Sequence, residues 1–144
     1  MVRRCRRKEA TRFNDVIHAH ISELVGSRSG IRIRPGDDDV SLGLFAARNP
    51  GLFLVGLEEQ ELVASALAGW DGRRGWLYHV AVSPERRRRG IAVRLVRMLE
   101  ERLRVLGCKK VNLIVWEDSA DAMRFWASIG YQRERAIELS KVLE

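Results

Sequence analysis

At 144 residues the chain is the size of one domain, long enough to bury a core and too short for two ordinary ones. Hydrophobic residues at 46% and charged residues at 31% exclude the composition of a disordered chain. The formal net charge of +7 favours an anionic partner, whether ligand phosphates, nucleic acid or acidic protein, without choosing among them.

The start, Met1 to Lys8, is basic, but no apolar run follows it that could serve as a signal-peptide core or a membrane span. Glu9 and Asp15 arrive too early for an organelle transit peptide. Cys5 and Cys108 sit in no metal or CxxC pattern, which leaves no disulfide framework and makes a reducing, cytoplasmic location the expectation. From Thr11, the residues Phe13, Val16, Ile17, Ile21, Leu24 and Val25 recur at helical spacing and read as one amphipathic helix, ended by Gly26 to Gly30. Residues 1–30 are therefore set apart as a basic leader and helix, and 31–144 as the main domain. Ile31 to Arg34 alternates like a short strand; Pro35-Gly36 and the acidic residues after it make a turn and a helix start, with a short helix from Leu42 to Ala47.

Asn49-Pro50-Gly51 breaks the chain before Leu52 to Leu57, an apolar run of strand length. Glu58 to Gln60 reads as a turn, Leu62 to Trp70 as the next strand, Asp71 to Gly75 as a tight loop and Trp76 to Val82 as a third strand, giving an antiparallel meander. The pattern then changes. Ala92, Leu95, Val96, Leu99, Leu103 and Leu106 follow helical spacing up to a stop at Gly107. A strand from Lys109 to Trp116, an N-cap at Ser119, a helix carrying Phe125 and Trp126, a C-cap at Gly130 and a last strand from Tyr131 to Leu143 complete the reading. The fold class is α/β in the α+β sense, a mixed sheet: a strand, a long helix and a strand with a crossover of this length place a parallel pair at the heart of an otherwise antiparallel sheet.

The stretch from Val82 through Ser83-Pro84 and the arginine run to Gly90 and Ala92 joins a buried strand to a helix. The first turn of a helix leaves backbone N–H groups without intrahelical partners, and the helix dipole adds partial positive charge beside them. With Gly90 and Ala92 keeping the approach small, the turn suits a pyrophosphate. No Gly-Lys-Ser/Thr follows and no G-x-G-x-x-G is present, so the carrier is neither a nucleoside triphosphate in a P-loop nor a dinucleotide in its usual fingerprint.

This turn resembles motif A of the GNAT superfamily of acyl-CoA N-acyltransferases, whose pattern R/Q-x-x-G-x-G/A is matched by Arg87, Gly90 and Ala92. The strand ending Val80-Ala81-Val82-Ser83-Pro84, Gly107-Cys108 before a strand, and Phe125 to Tyr131 occupy family positions too. The resemblance covers about Leu44 to Leu143 and is closest to small YpeA-like bacterial members with a similar Asp71 to Gly75 loop. It implies a GNAT-like fold in which the two central parallel strands splay apart. It also implies acetyl-CoA as cosubstrate, with pantetheine along the backbone of Val80, Ala81 and Val82. The diphosphate would sit on the amides of Arg87, Arg88, Arg89, Gly90, Ile91, Ala92 and Val93. An acceptor amine, on a small molecule or a protein, would attack the thioester directly, with no metal involved. Ser119 stands where family members often carry Asn against pantetheine, and serves equally as a helix cap.

Three departures bear on chemistry. Trp126 stands where many relatives have a Tyr that protonates the departing thiolate, and an indole N–H is no useful acid. Ile114 occupies the place of the glutamate base of ribosomal-protein acetylating relatives, and the front of the chain leaves room for one helix where two are usual. Candidate bases are Glu117, at a strand end, followed by Asp118, Asp71 and His79; against these stand a solvated acidic loop for Glu117 and Asp118 and a packing histidine for His79. At least one of Arg86, Arg88 and Arg89 is expected to meet a CoA phosphate, the alternative being a solvated charged face. A non-catalytic acetyl-CoA-binding module is the alternative function. Nucleic acid is disfavoured because no recognition helix, zinc or stacking motif accompanies the charge. The last strand is a candidate edge for a homodimer.

Overall fold

The computed structural model describes residues 2–4 and 34–143. The helix expected over Thr11 to Val25 lies outside the described residues, as does all of the expected strand Ile31 to Arg34 except Arg34, which is in no strand. The chain divides into two compact units, Met1–Leu113 and Ile114–Glu144.

The first unit holds one five-stranded sheet in sequence order: β1 (Val2–Arg4), β2 (Phe53–Glu58), β3 (Glu61–Trp70), β4 (Gly75–Val82) and β5 (Val111–Asn112). The first three pairings are antiparallel and β4 to β5 is parallel, as the long helical crossover requires. β2 and β3 are joined by Glu59 and Gln60, both at positive φ (48° and 71°), the backbone that a two-residue hairpin needs to match strand twist. From Val63 to Gly69 every residue of β3 is buried, because helices cover both faces of the sheet and the strand reads as a continuous apolar run.

Helix α1 (Asp39–Arg48) starts at an Asp38 cap whose carboxylate accepts from the Ser41 amide at 3.0 Å. Its Leu42, Phe45 and Ala46 pack on Phe53 and Leu67. Asn49 fastens the far end: its amide nitrogen donates to the Phe45 carbonyl at 3.0 Å and its side-chain oxygen accepts from the Trp70 amide at 2.8 Å. Helix α2 (Ile91–Val105) packs on β2, β3 and β4 through Leu95, Val96, Leu99 and Leu103, all fully buried, the stripe expected from its 3.6-residue spacing. At its end Gly107 (φ 93°) lets the Cys108 amide reach the Leu103 carbonyl (3.0 Å) and its own amide reach that of Arg104 (3.0 Å), the paired bonds of a Schellman motif.

The second unit holds helix α3 (Ala120–Ser128). The expected strand Lys109 to Trp116 shrinks to the two residues of β5, and no strand forms over Tyr131 to Leu143. A strand exists only where a neighbour completes its ladder, and among the described residues none does so there; Ile137 and Leu139 stand 89% and 90% exposed. The parallel pair consequently closes the strand order instead of lying at its centre.

Candidate active site

The site is built on a fault in β4. Between Ser65↔Ala81 and Leu67↔Tyr78 the register shifts, so that His79 and Val80 together oppose Ala66 alone. His79 sits at φ 45°, a region that His tolerates better than most residues. Beyond the bulge the Ser83 amide bonds to Val63 at 2.9 Å, so the strand's alternation turns the N–H and C=O of Val80 and Val82 toward the opposite edge. On that edge the parallel pairing covers only Gly75↔Val111 and Trp76↔Asn112. From Leu77 onward no strand among the described residues pairs there, so the outward N–H and C=O groups of Val80 and Val82 carry no ladder bonds that an extended amide-bearing chain could not replace. The Val82 carbonyl already accepts from Arg87 Nε at 3.2 Å.

After β4 comes one 3-10 turn, Pro84–Arg86, and then Gly90 at φ 76° opens α2. The Arg86 and Arg87 amides bond back to Ser83 and Pro84, and the first helical bond is from the Arg94 amide to Gly90 at 3.0 Å. Between them the amides of Arg88, Arg89, Gly90, Ile91, Ala92 and Val93 find no acceptor among the described residues. A Cβ on Gly90 would meet nothing within 4 Å, so the space beside Gly90 is open. Six free donors at the positive end of a 15-residue helix fit a diphosphate.

The four arginines of the turn divide by role. Arg86 pairs with Glu58 at the end of β2, and Arg89 reaches the same carboxylate at 3.8 Å. Arg87 holds the Val82 carbonyl, and Arg88, exposed and at φ 64°, has no partner among the described residues. Beyond the turn an open groove of about 550 Å³ follows α2 along Gly90, Val93, Arg94, Arg97, Met98 and Glu101. Glu58, Arg94 and Arg97 were not legible as site residues, because a charge at a strand end or on a helix surface carries no motif.

The candidate bases are placed very differently. Glu117 is 96% exposed, with Arg133 at 4.0 Å. Asp71 caps its own loop, accepting from the Arg73 and Arg74 amides at 2.7 and 2.6 Å, and those bonds hold its carboxyl below the usual range. His79 is partly buried, its Nε2 lying 2.8 Å from Asp37 Oδ1. Beside it, burial pushes the Tyr78 phenol up, with the Asp71 charge adding to the shift. In the second unit Ser119 stands at the N-cap of α3, but its side chain makes no capping bond, so its hydroxyl is left for another partner. Among the described residues no group of three or more His, Cys, Asp or Glu could hold a metal ion, and no helix is long and apolar enough to cross a membrane.

A match to the model of the acetyltransferase (GNAT) family spans residues 18–131. The chain belongs to the GNAT family. An acetyltransferase of Pectobacterium atrosepticum is 36% identical over 112 residues, covering 77% of this chain and 79% of that one. An acetyltransferase of Yersinia pestis is 34% identical over the same shares. Among solved structures, an aminoglycoside acetyltransferase from an uncultured soil metagenomic sample superposes with a TM-score of 0.76 at 20% identity, covering 100% of this chain and 98% of that one. A second, AAC(6')-Iy in complex with the bisubstrate analogue CoA-S-monomethyl-acetylneamine, gives 0.72 at 15% identity, covering 99% and 98%. At such identities the structural likeness establishes the fold. This GNAT chain is therefore an acetyltransferase of mixed α/β architecture, in a family that uses acetyl-CoA.

Proposed function

We propose that this chain binds acetyl-CoA with its diphosphate on the free amides from Arg88 to Val93 and its pantetheine arm along Val80 and Val82, and transfers the acetyl group to a primary amine. The observation that carries the reading is the coincidence, within one stretch of chain, of six helix-end donors without an acceptor among the described residues and a bulged strand whose outer edge has no strand partner among them beyond Trp76. Arg87 contributes by fixing the Val82 carbonyl, so the turn and the strand end are held together before any ligand arrives. Of the four arginines of the turn, Arg88 is the one without a partner among the described residues, and it is the one proposed to meet a phosphate.

The reaction follows from the chemistry of a thioester. The acceptor nitrogen attacks the acetyl carbonyl, a C–N bond forms as the C–S bond breaks, and CoA departs as a thiolate. One amine proton must pass to a base, and backbone N–H groups stabilise the oxyanion that develops on the carbonyl. Two neighbours of the fold are aminoglycoside acetyltransferases; for this chain the proposal is an amine acceptor of unspecified carrier. Glu117, on an exposed loop, retains the solvated-acid reading.

Calorimetric titration of acetyl-CoA into the wild-type protein and into Gly90→Asp tests the reading. Binding by wild type that is lost in the variant supports it; a folded wild-type protein that does not bind acetyl-CoA overturns it.

A further inference from the structure

We propose that His79 is the catalytic base of this acetyltransferase, with Asp37 as the residue that positions it; the inference rests on the acetyl-CoA reading above. A turn places Asp37. Arg34-Pro35-Gly36-Asp37 is a type II turn, with Pro at the second position, Gly36 at φ 93° in the third and the Asp37 amide bonded to the Arg34 carbonyl at 3.1 Å. The turn returns Asp37 Oδ2 to the Arg34 amide at 2.8 Å, which leaves Oδ1 aimed at His79 Nε2, also at 2.8 Å. Both side chains are largely withdrawn from water, 14% exposed for His79 and 13% for Asp37.

A carboxylate only accepts, so in the neutral imidazole Nε2 carries the hydrogen and Nδ1 presents the lone pair. Nδ1 has no partner among the described residues. Position along β4 supplies the rest. If the arm runs from the helix end past Val82 and then Val80, the acyl group arrives beside the next residue, His79, at the bulge where the strand is already distorted. Holding a histidine at positive φ in a strand interior costs free energy, and such strain persists where the surroundings fix it, here through the Asp37 bond on one side and the acceptance by the His79 carbonyl of the Ser65 hydroxyl, at 3.5 Å, on the other.

In the transfer, the proton lost by the attacking amine goes to Nδ1, giving an imidazolium whose charge the Asp37 carboxylate stabilises. The same proton then passes to the departing thiolate, yielding free CoA thiol and a neutral imidazole. Trp126 therefore need not supply an acid.

The test uses bromoacetyl-CoA, which places an alkylating carbon where the acetyl methyl carbon would lie and needs no acceptor. Attack by Nδ1 forms an N–C bond and expels bromide, leaving a stable adduct that peptide mass spectrometry locates. CoA affinity is measured in parallel by calorimetry. The expected result is CoA-protected labelling of His79 in the wild-type protein, slowed on the order of tenfold or more in Asp37→Asn, with CoA affinity unchanged, because the amide no longer fixes the tautomer. His79→Asn, whose side chain tolerates the positive φ, keeps CoA binding and loses the label. Tight CoA binding with the label absent, or placed only on Cys108 or another residue, overturns the role of His79 alone. Absence of CoA binding by the folded protein overturns the acetyl-CoA reading and this inference with it.

Discussion

The amide of Tyr131 donates to the carbonyl of Trp126 at 3.0 Å, and the two side chains flanking that bond meet with ring centroids 5.0 Å apart. With the Gly130 amide bonded to the Ala127 carbonyl at 3.1 Å, this is a Schellman motif closed by its apolar contact. The family-like stretch Phe125 to Tyr131 is thereby explained as a helix stop. Gly130 sits at φ 100° and a Cβ there meets nothing within 4 Å, so Gly130→Ala carries backbone strain without a clash. We expect it to destabilise the helix end by about 1–2 kcal/mol, read as reduced protection of the Tyr131 amide in hydrogen exchange. Unchanged protection would show that the positive φ is not required.

Charge and strain can be separated at Gly90. Asn and Asp tolerate its φ of 76° similarly and have nearly the same shape, and the open space beside Gly90 accepts either. Gly90→Asn should retain most of the acetyl-CoA affinity, whereas Gly90→Asp sets a carboxylate against the diphosphate and should lower it by on the order of a hundredfold or more. Equal losses in the two variants would mean that the turn acts through its backbone shape and not as an anion site.

The strand-turn-helix backbone of the candidate site was legible from the chain alone. Gly90 and Ala92 opening an amphipathic helix after a buried strand is a local pattern, and the structure realises it locally. The limits lie where partners are remote in sequence. His79 could be weighed only as a strand residue, because its bond to Asp37 spans 42 positions and follows from a turn and a bulge whose meeting no spacing records. The last strand failed for a related reason: Tyr131 to Leu143 was read as a strand from its place after the last helix, but pairing depends on a neighbour that the sequence does not supply. Val2–Arg4 pairs with β2 as a strand although its basic composition gave no strand signal, since a backbone ladder can form whatever the side chains.

Arg88 and Arg104 make a matched pair of probes. Arg88 lies in the turn without a partner among the described residues, while Arg104 lies in the last turn of α2 and pairs with Glu101. Arg88→Ala should weaken acetyl-CoA binding by about 1 kcal/mol, close to fivefold, and Arg104→Ala should leave it unchanged. Raising the salt concentration should shrink the Arg88 effect, because an exposed cation and a phosphate are screened. Calorimetry at two ionic strengths reads both expectations, and a larger effect at Arg104 would relocate the phosphate.

The cap of α1 links stability to pH in a defined direction. Asp38 Oδ1 accepts the Ser41 amide at 3.0 Å and Oδ2 accepts the Ser41 hydroxyl at 2.7 Å; the hydroxyl bond and then the amide bond hold the carboxyl below its usual 3.8. A folded-state value below the unfolded one means stability that is fully present above the unfolded value, near pH 4, and is lost as pH falls through the folded value. Asp38→Asn keeps an acceptor for the cap but cannot ionise, so above pH 4 it should be slightly less stable than wild type. The gap should close as the carboxyl protonates. Asp38→Ala, which removes the acceptor, should be less stable than Asp38→Asn throughout, because the Ser41 amide then has only water. Urea unfolding of the three proteins between pH 3 and pH 7 measures this. A wild-type advantage over Asp38→Asn that grows on acidification would reverse the sign of the linkage and exclude the carboxylate cap as its source.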